Sequence, residues 1–255
     1  MNLRILLAAV VALALLSIPA GAIQVPNGMD APDVDLCATH DALEIAENGG
    51  VATETFPTAD PAITVTVHQV CFLEAALLDT DCSSTAYSHT GWKWSSAYSG
   101  RLDTKNPYGL SSSGLLNAFN AGGNEWDGAV GADIFGSISA GGSASAIRKY
   151  DGVNQHGFKQ GGNYVAVTYT WSSGGRALES DAAYNTYYPW SLNGASNAMD
   201  VQNVATHELG HTFGMGHTGS QSQHSCATMY PYVDYGWTHQ RTLGDGDLLG
   251  IRALY

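Results

Sequence analysis

The sequence is poor in positive charge. Its 255 residues include 10 lysines and arginines against 23 aspartates and glutamates, which gives a formal net charge of −13. Such a chain lacks the basic surface that binds phosphate backbones and anionic lipids, so we expect neither nucleic acid nor a membrane surface as its main partner. Proline is also scarce, with 8 residues, and the 30 glycines follow no fixed period. These counts exclude collagen-like and proline-rich linker proteins.

Long apolar runs are missing except at the N-terminus. There Arg4 precedes a mainly apolar run, Ile5–Ile18, and the small residues Ala20–Ala22 follow it. This order predicts a secretory signal over residues 1–22, so we expect a secreted protein without membrane association once the signal is removed. A retained N-terminal anchor is the alternative, and the lack of a stop-transfer pattern disfavours it.

Cysteine is limited to four residues, at positions 37, 71, 82 and 226. An exported protein reaches an oxidising compartment, where its four cysteines can form two disulfides in any of three pairings. We expect Cys71 to pair with Cys82, because the loop between them is short. Cys37 and Cys226 remain alternative partners for either of them.

Charge also divides the chain along its length. Residues 23–90 contain eleven acidic residues and no lysine or arginine, whereas residues 91–255 contain twelve acidic and nine basic residues. This shift in composition predicts a separate N-terminal unit, residues 23–90, before a larger unit, residues 91–255.

Hydrophobic periodicity predicts a mixed α/β arrangement. In the N-terminal unit it indicates a strand over Ala62–Val70 and a short helix around Cys71–Leu78. In the larger unit it indicates a helix over Leu110–Ala121, strands over Asp133–Ile138 and Tyr164–Trp171, and a polar edge strand over Leu178–Tyr184.

The candidate metal-binding and catalytic residues lie in the segment 200–217. His207 and His211 stand four residues apart, which places both imidazoles one turn apart on one helix face, where they can hold one zinc ion. Glu208 lies beside them. Gly214 can adopt the positive φ that ends a helix, so the chain can turn back and bring His217 to the metal as a third ligand.

Three histidine ligands leave a fourth position open, and this separates a catalytic zinc site from a structural one. Water bound there becomes more acidic, and Glu208 is placed to act as its general base. The pattern therefore predicts amide hydrolysis without a protein nucleophile. An ordinary helix with surface or core histidines is the alternative, and the five specified positions disfavour it.

The extended motif is the metzincin signature. Ser225–Tyr232, with Met229 in a Met-Tyr-Pro sequence, resembles the Met-turn of matrixins, in which the methionine forms an apolar floor below the metal ligands. The resemblance covers residues 91–255. It implies a zincin-like domain of α/β (α+β) class with a mixed twisted sheet, an active-site helix, the Met-turn and a C-terminal helix over Asp247–Tyr255.

The matrixin resemblance also implies one catalytic zinc, a protein or peptide substrate and a monomer. Tyr232, Tyr235 and Trp237 either line the specificity pocket or pack beneath a loop. Calcium binding is compatible with the family, but the sequence does not locate a calcium site.

Two matrixin features are missing. The latency motif is absent, since Cys37 lies in a different sequence, so inhibition by a zinc-bound thiolate is in doubt. The pattern for a second, structural zinc is absent too, because His156 precedes Gly157 and Phe158. We therefore interpret Asp151, His156 and Asp181 as a turn residue, an exposed histidine and an edge-strand acid.

Three functions follow as hypotheses. The first is a secreted zinc endopeptidase whose residues 23–90 are a pro-segment, with His40 or a carboxylate on the zinc, or an accessory domain. The second is a secreted, non-enzymatic, zinc-stabilised binding or adhesion protein, which Glu208 disfavours because a structural site does not need that carboxylate. The third is a zinc hydrolase that acts on something other than protein.

Overall fold

The computed structural model describes residues 28–37, 52–74, 78–79 and 81–255. The expected signal over residues 1–22 and His40 lie outside the described residues. The strands are β1 (Thr53–Pro57), β2 (Thr64–Phe72), β3 (Ser88–His89), β4 (Tyr98–Asp103), β5 (Phe135–Ala140), β6 (Gln155–Lys159), β7 (Tyr164–Ser173), β8 (Arg176–Asn185), β9 (Trp190–Ser191), β10 (Met199–Asp200), β11 (Met215–Gly216) and β12 (Tyr232–Val233). The helices are α1 (Ser112–Gly128), α2 (Val201–Thr212) and α3 (Asp245–Leu254), with short 3₁₀ turns at Ser222–His224 and His239–Arg241.

Eight of the described strands form one mixed sheet. Its order is β1-β2-β7-β8-β6-β4-β5, and β12 adds a short parallel pairing to β2. The neighbours β1–β2, β2–β7 and β7–β8 are antiparallel, whereas β8–β6, β6–β4 and β4–β5 are parallel. This architecture confirms the predicted mixed α/β class.

Helices α1 and α2 lie against the sheet in the larger of two apolar clusters. The Asp200 side chain caps α2 by accepting a hydrogen bond from the Asn203 amide (3.0 Å), as expected of an N-cap. The two helices approach closely at Gly122, where a Cβ atom would lie 2.8 Å from the Thr206 Oγ1 atom. This contact sets the distance between α1 and α2.

Most of the predicted elements are present, with shifted ends. The strand expected over Ala62–Val70 is β2, and those expected over Asp133–Ile138 and Tyr164–Trp171 are β5 and β7. The helices expected over Leu110–Ala121 and Asp247–Tyr255 are α1 and α3. The short helix expected around Cys71–Leu78 is wrong at its start, since Cys71 and Phe72 end β2, and residues 75–77 lie outside the described residues.

The expected separation between residues 23–90 and 91–255 does not match the sheet. Strand β2 pairs with β7 along eight residue pairs, from Thr64–Ser172 to Cys71–Tyr164. Residues 53–72 therefore belong to the same sheet as residues 98–185. Charge composition does not indicate this pairing, because charge reflects solvent exposure, whereas the pairing of strands depends on backbone hydrogen bonds and buried apolar faces.

The predicted edge position of Leu178–Tyr184 is wrong. Strand β8 lies inside the sheet between β6 and β7, and Glu179 and Asp181 are fully or almost fully buried. The Glu179 carboxylate accepts hydrogen bonds from the amides of Asp151 and Gly152, and the Asp181 carboxylate accepts from those of Arg148 and Gln155. The two carboxylates made the sequence of this strand look like that of an exposed edge. Backbone amides satisfy them instead, so they can be buried inside the sheet.

The expected disulfide between Cys71 and Cys82 is also wrong. Cys37 pairs with Cys71, and Cys82 pairs with Cys226. The reason is that residues 28–37 lie along β2, where the Gln69 side chain bonds to the backbone of Val34 and Leu36. Cys82 instead lies close to the 3₁₀ turn Ser222–His224, since the neighbouring Ser84 hydroxyl bonds to His224. Among the described residues, no helix is long and apolar enough to cross a bilayer.

Candidate metal centre

Helix α2 and the turn after it bring three histidines together. The Nε2 atoms of His207 and His211 lie 3.0 Å apart, and each lies within 3.2 Å of the His217 Nε2 atom. Helical spacing places the first two on one face. Gly214, with φ of 98°, then reverses the chain and allows His217 to return to the same point.

The hydrogen bonds of the Nδ1 atoms show that the Nε2 atoms of His207 and His211 are free to bind a cation. His207 Nδ1 donates to the Thr228 carbonyl oxygen (2.6 Å), and His211 Nδ1 donates to that of Met215 (2.9 Å). Both protons are therefore on Nδ1, and the two Nε2 atoms face each other with lone pairs only. Two nitrogens bound to a tetrahedral zinc are about 3.3 Å apart, close to the observed distances. The donor set thus suits zinc.

Burial keeps these histidines neutral, as metal binding requires. Their exposed fractions are 3% or less. Desolvation lowers the pKa of His207 to about 4, although its hydrogen bond to Thr228 opposes the shift. Desolvation and the neighbouring imidazoles lower the pKa values of His211 and His217 well below the usual value.

Glu208 is fully buried beside the histidines. Its Oε2 atom accepts a hydrogen bond of 2.5 Å from the Thr168 hydroxyl on β7, and its Oε1 atom has no hydrogen-bond partner among the described residues. Desolvation raises the pKa of Glu208 to about 8, against the effect of the Thr168 bond. A nearby cation would favour the ionised form. One carboxylate oxygen is thus fixed, and the other is available to move a proton.

The predicted Met-turn lies directly below α2. Met229 is fully buried, and its Sδ atom lies so close to Gly210 that a Cβ there would be 2.3 Å away. Trp126 approaches the same point and donates from Nε1 to the Thr206 carbonyl (2.8 Å). The methionine therefore forms an apolar support for the helix that carries His207 and His211.

Asp247, at the start of α3, holds this turn in place, a role that the sequence did not reveal. Its buried carboxylate accepts from the amides of Thr228 (2.6 Å), Met229 (3.1 Å) and Gly244 (2.9 Å). Burial raises its pKa to about 6, against the effect of the three amide donors, which favour the ionised form. Because the Thr228 carbonyl orients His207, Asp247 is a positioning residue for the centre.

We expect Asp247→Ala to destabilise the fold by about 2–5 kcal/mol, because three buried amides would lose their acceptor. We also expect a loss of zinc affinity of about tenfold, since His207 would be held less firmly. Urea denaturation and competition with a chromophoric chelator measure the two effects. Asp245→Ala, at an exposed position of the same helix turn, is the control. Equal zinc affinities of the two variants would contradict the positioning role.

A fourth histidine, His68 of β2, lies at the centre and was not predicted. Its ring stacks on that of His211, with centroids 4.2 Å apart and planes 9° apart. Ligand atoms of His68, His211 and His217 all lie within 4.8 Å of one another. His68 reaches this position only through the pairing of β2 with β7. No motif in the neighbouring sequence indicates that it lies near the three histidines.

Two other predicted positions differ from expectation. His156 is buried, not exposed, and hydrogen-bonds to the Tyr98 hydroxyl (2.8 Å). Asp181 is a buried residue of an inner strand. Among the residues expected near a specificity pocket, Tyr232 lies in β12 and is buried, whereas the Tyr235 ring contacts that of Phe72 at 4.9 Å.

Comparison with known proteins supports this description. Residues 139–255 match the family model of the matrixin peptidases, and this stretch contains α2, the three histidines and the Met-turn. This similarity supports a matrixin-like metzincin catalytic domain that includes these residues. The family implies zinc, and the described residues include a histidine cluster that could bind a metal ion.

Several known proteins are similar in sequence to about a third of this chain. Human matrilysin is 36% identical over 81 residues, which is 32% of this chain and 28% of matrilysin. Metalloendoproteinase 1-MMP of Arabidopsis thaliana is 38% identical over 79 residues, 31% of this chain and 20% of that protein. Human matrix metalloproteinase-16 is 33% identical over 82 residues, 32% of this chain and 13% of that protein. The matches thus span less than a third of each relative.

Proposed function

We propose that the protein is a secreted zinc endopeptidase, with His207, His211 and His217 as metal ligands and Glu208 as general base. The convergence of three Nε2 atoms within 3.2 Å of one another, beside a carboxylate with one unpartnered oxygen among the described residues, carries the proposal. The matrixin-like domain supports it, since metalloproteinases are among its relatives. The two disulfides agree with an extracellular location.

The roles of the protein groups follow from their bonding. Thr168 holds Glu208 Oε2, so Oε1 takes the proton from the attacking water and passes it to the leaving amine nitrogen. The carbonyls of Thr228 and Met215 keep the Nε2 lone pairs of His207 and His211 directed at the metal. Zinc, when bound, supplies a Lewis acid that polarises the substrate carbonyl and acidifies water.

Hydrolysis of casein or gelatin by the zinc-loaded protein tests this function. Because the described structure buries the centre, the assay compares intact protein with a variant that carries an inserted protease site after Leu78, before and after the cut. We expect cleavage that stops when a chelator removes the metal. Zinc binding without cleavage of either substrate, before or after the cut, would favour a zinc-stabilised binding protein instead.

A further inference from the structure

A cavity of about 420 Å³ lies on the face of the sheet that is turned away from the metal centre. Thr168 of β7 faces α2, since its hydroxyl bonds to Glu208. Successive side chains of a strand point to opposite faces, so the next residue, Tyr169, which lines the cavity, points away from α2. A cavity of this size suits a small organic molecule. A ligand bound there would not touch the histidines of the metal centre.

Basic residues gather at this cavity, although the protein as a whole is acidic. Arg148 and Lys159 line the cavity, and Lys149 is close enough to affect the charge of Lys159. Three of the 10 basic residues thus lie together in a chain with a net charge of −13. Burial, and next to it repulsion from Arg148, lowers the pKa of Lys159. An anion bound beside these residues would relieve the repulsion between their charges.

Two donors at the cavity have no acceptor within the part of the chain that the structure describes. The Lys159 Nζ atom forms no ion pair or hydrogen bond there. The Arg148 Nε atom is buried and has no hydrogen-bond partner there, whereas Nη1 of the same side chain pairs with Asp33 at 2.7 Å. A buried donor without an acceptor is unfavourable, so both groups favour a ligand that brings acceptor oxygens.

The backbone of Arg148 is held in a conformation that arginine rarely adopts. Its φ is 82°, in the left-handed region. Its amide donates to the buried Asp181 carboxylate (2.9 Å), and its carbonyl accepts from the Ala31 amide (2.8 Å). Such strain persists only where the surrounding structure fixes it, and it is concentrated at ligand-binding and active sites. These two bonds therefore fix the Arg148 backbone beside the cavity.

The remaining walls of the cavity define the kind of anion that fits. Several of them are apolar or aromatic side chains: Ile147, Ala183, Tyr164 and Tyr169. An inorganic ion would leave most of these walls without contact. Asp33 and Asp35 also line the cavity, and they would repel a ligand with several negative charges. The cavity therefore suits a ligand with one negative charge and an apolar body.

We propose that this cavity binds a monocarboxylate with an apolar or aromatic body, whose carboxylate accepts hydrogen bonds from Lys159 Nζ and Arg148 Nε. A small free organic acid has this chemistry, and so does the C-terminus of a peptide that ends in an apolar residue. The site lies apart from the metal centre, so the inference does not depend on the proposed function.

Isothermal titration of the full-length protein with benzoate tests the proposal without measuring catalysis. We expect benzoate to bind at least about tenfold more tightly than benzamide, which has a similar shape and no charge. Lys159→Gln should weaken benzoate binding at least about tenfold, as expected when a hydrogen bond to a charged group is lost. The affinity for benzamide should change little.

Lys105→Gln is the matched control, since Lys105 is exposed and lies outside the cavity. We expect it to bind benzoate like the parent. Equal benzoate affinities of the parent and Lys159→Gln would overturn the proposal, and so would a parent without saturable benzoate binding. If Lys159→Gln does not fold, Arg148→Asn replaces it, because asparagine tolerates a positive φ. Unchanged benzoate affinity in that variant would overturn the proposal too.

Further titrations identify the source of the carboxylate and its place of binding. N-acetylphenylalanine resembles a peptide C-terminus, so the tighter binder of this compound and benzoate distinguishes peptide ends from small free acids, and saturable binding of either supports the site. Tighter binding of inorganic phosphate than of both acids would overturn the assignment to a monocarboxylate. We expect the same benzoate affinity with and without zinc. Binding that requires zinc would place the acid at the metal centre and overturn the proposal.

Discussion

Glu208→Gln should keep the metal and lose hydrolytic activity about a hundredfold or more, the effect expected when a general base is removed. Glutamine preserves the shape of the side chain, and its amide oxygen can still accept the hydrogen bond from Thr168. It has no carboxylate oxygen to take a proton from water. The fold and the three histidines should therefore be unaffected, and the loss should appear in kcat.

The measurement is kcat/KM on a casein-derived peptide, with zinc content determined for the same samples. Variant and parent are compared in the same forms, intact and cut after Leu78, because the described structure buries the centre. Glu125→Gln, on α1 and away from the centre, controls for the loss of one negative charge. Glu208→Gln activity within a few-fold of the parent would remove Glu208 from the mechanism.

His211→Ala should weaken zinc binding more than about a hundredfold. This exceeds the effect expected from removing a residue that only hydrogen-bonds to a metal ligand. The Nε2 atom of His211 is the one closest to both other members of the triad, at 3.0 Å from each. Its loss would leave His207 and His217 as the remaining triad members. Stabilisation of the fold by added zinc should decrease in parallel, because it depends on the ratio of metal concentration to Kd.

Zinc stoichiometry after dialysis and competition with a chromophoric chelator measure the affinity, and thermal unfolding with and without zinc measures the linked stability. His89→Ala is the control, since His89 bonds to the Gly250 carbonyl outside the centre. Unchanged stoichiometry and affinity in His211→Ala would show that the metal ligands have been misassigned.

The parts of the site that the sequence predicts are those that local geometry determines. The spacing of His207 and His211 and the turn at Gly214 follow from helix periodicity and from the positive φ that glycine permits. His68 and Asp247 depend on contacts with residues far away in the chain. No sequence pattern around either residue indicates that it belongs to the site, so only the fold shows this.

The same distinction holds for the fold. The alternation of Val65 and Val67 with threonines indicates a strand, and β2 forms there, but alternation does not specify which strand it pairs with. The polar residues of β8 indicated an edge because sequence patterns do not show backbone amides approaching Asp181. Disulfide pairing failed for a related reason, since a short loop between Cys71 and Cys82 says nothing about their directions in space.

The position of β2 has a consequence for how the molecule folds. Its residues precede their partners in β7 by roughly 100 residues, and those in β12 come later still. Contacts between such distant segments form slowly, because closing a long loop costs entropy before the pairing compensates for it. The pairing of β2 with β7 can therefore form only after residues 164–173 have been synthesised, so this part of the sheet is completed late.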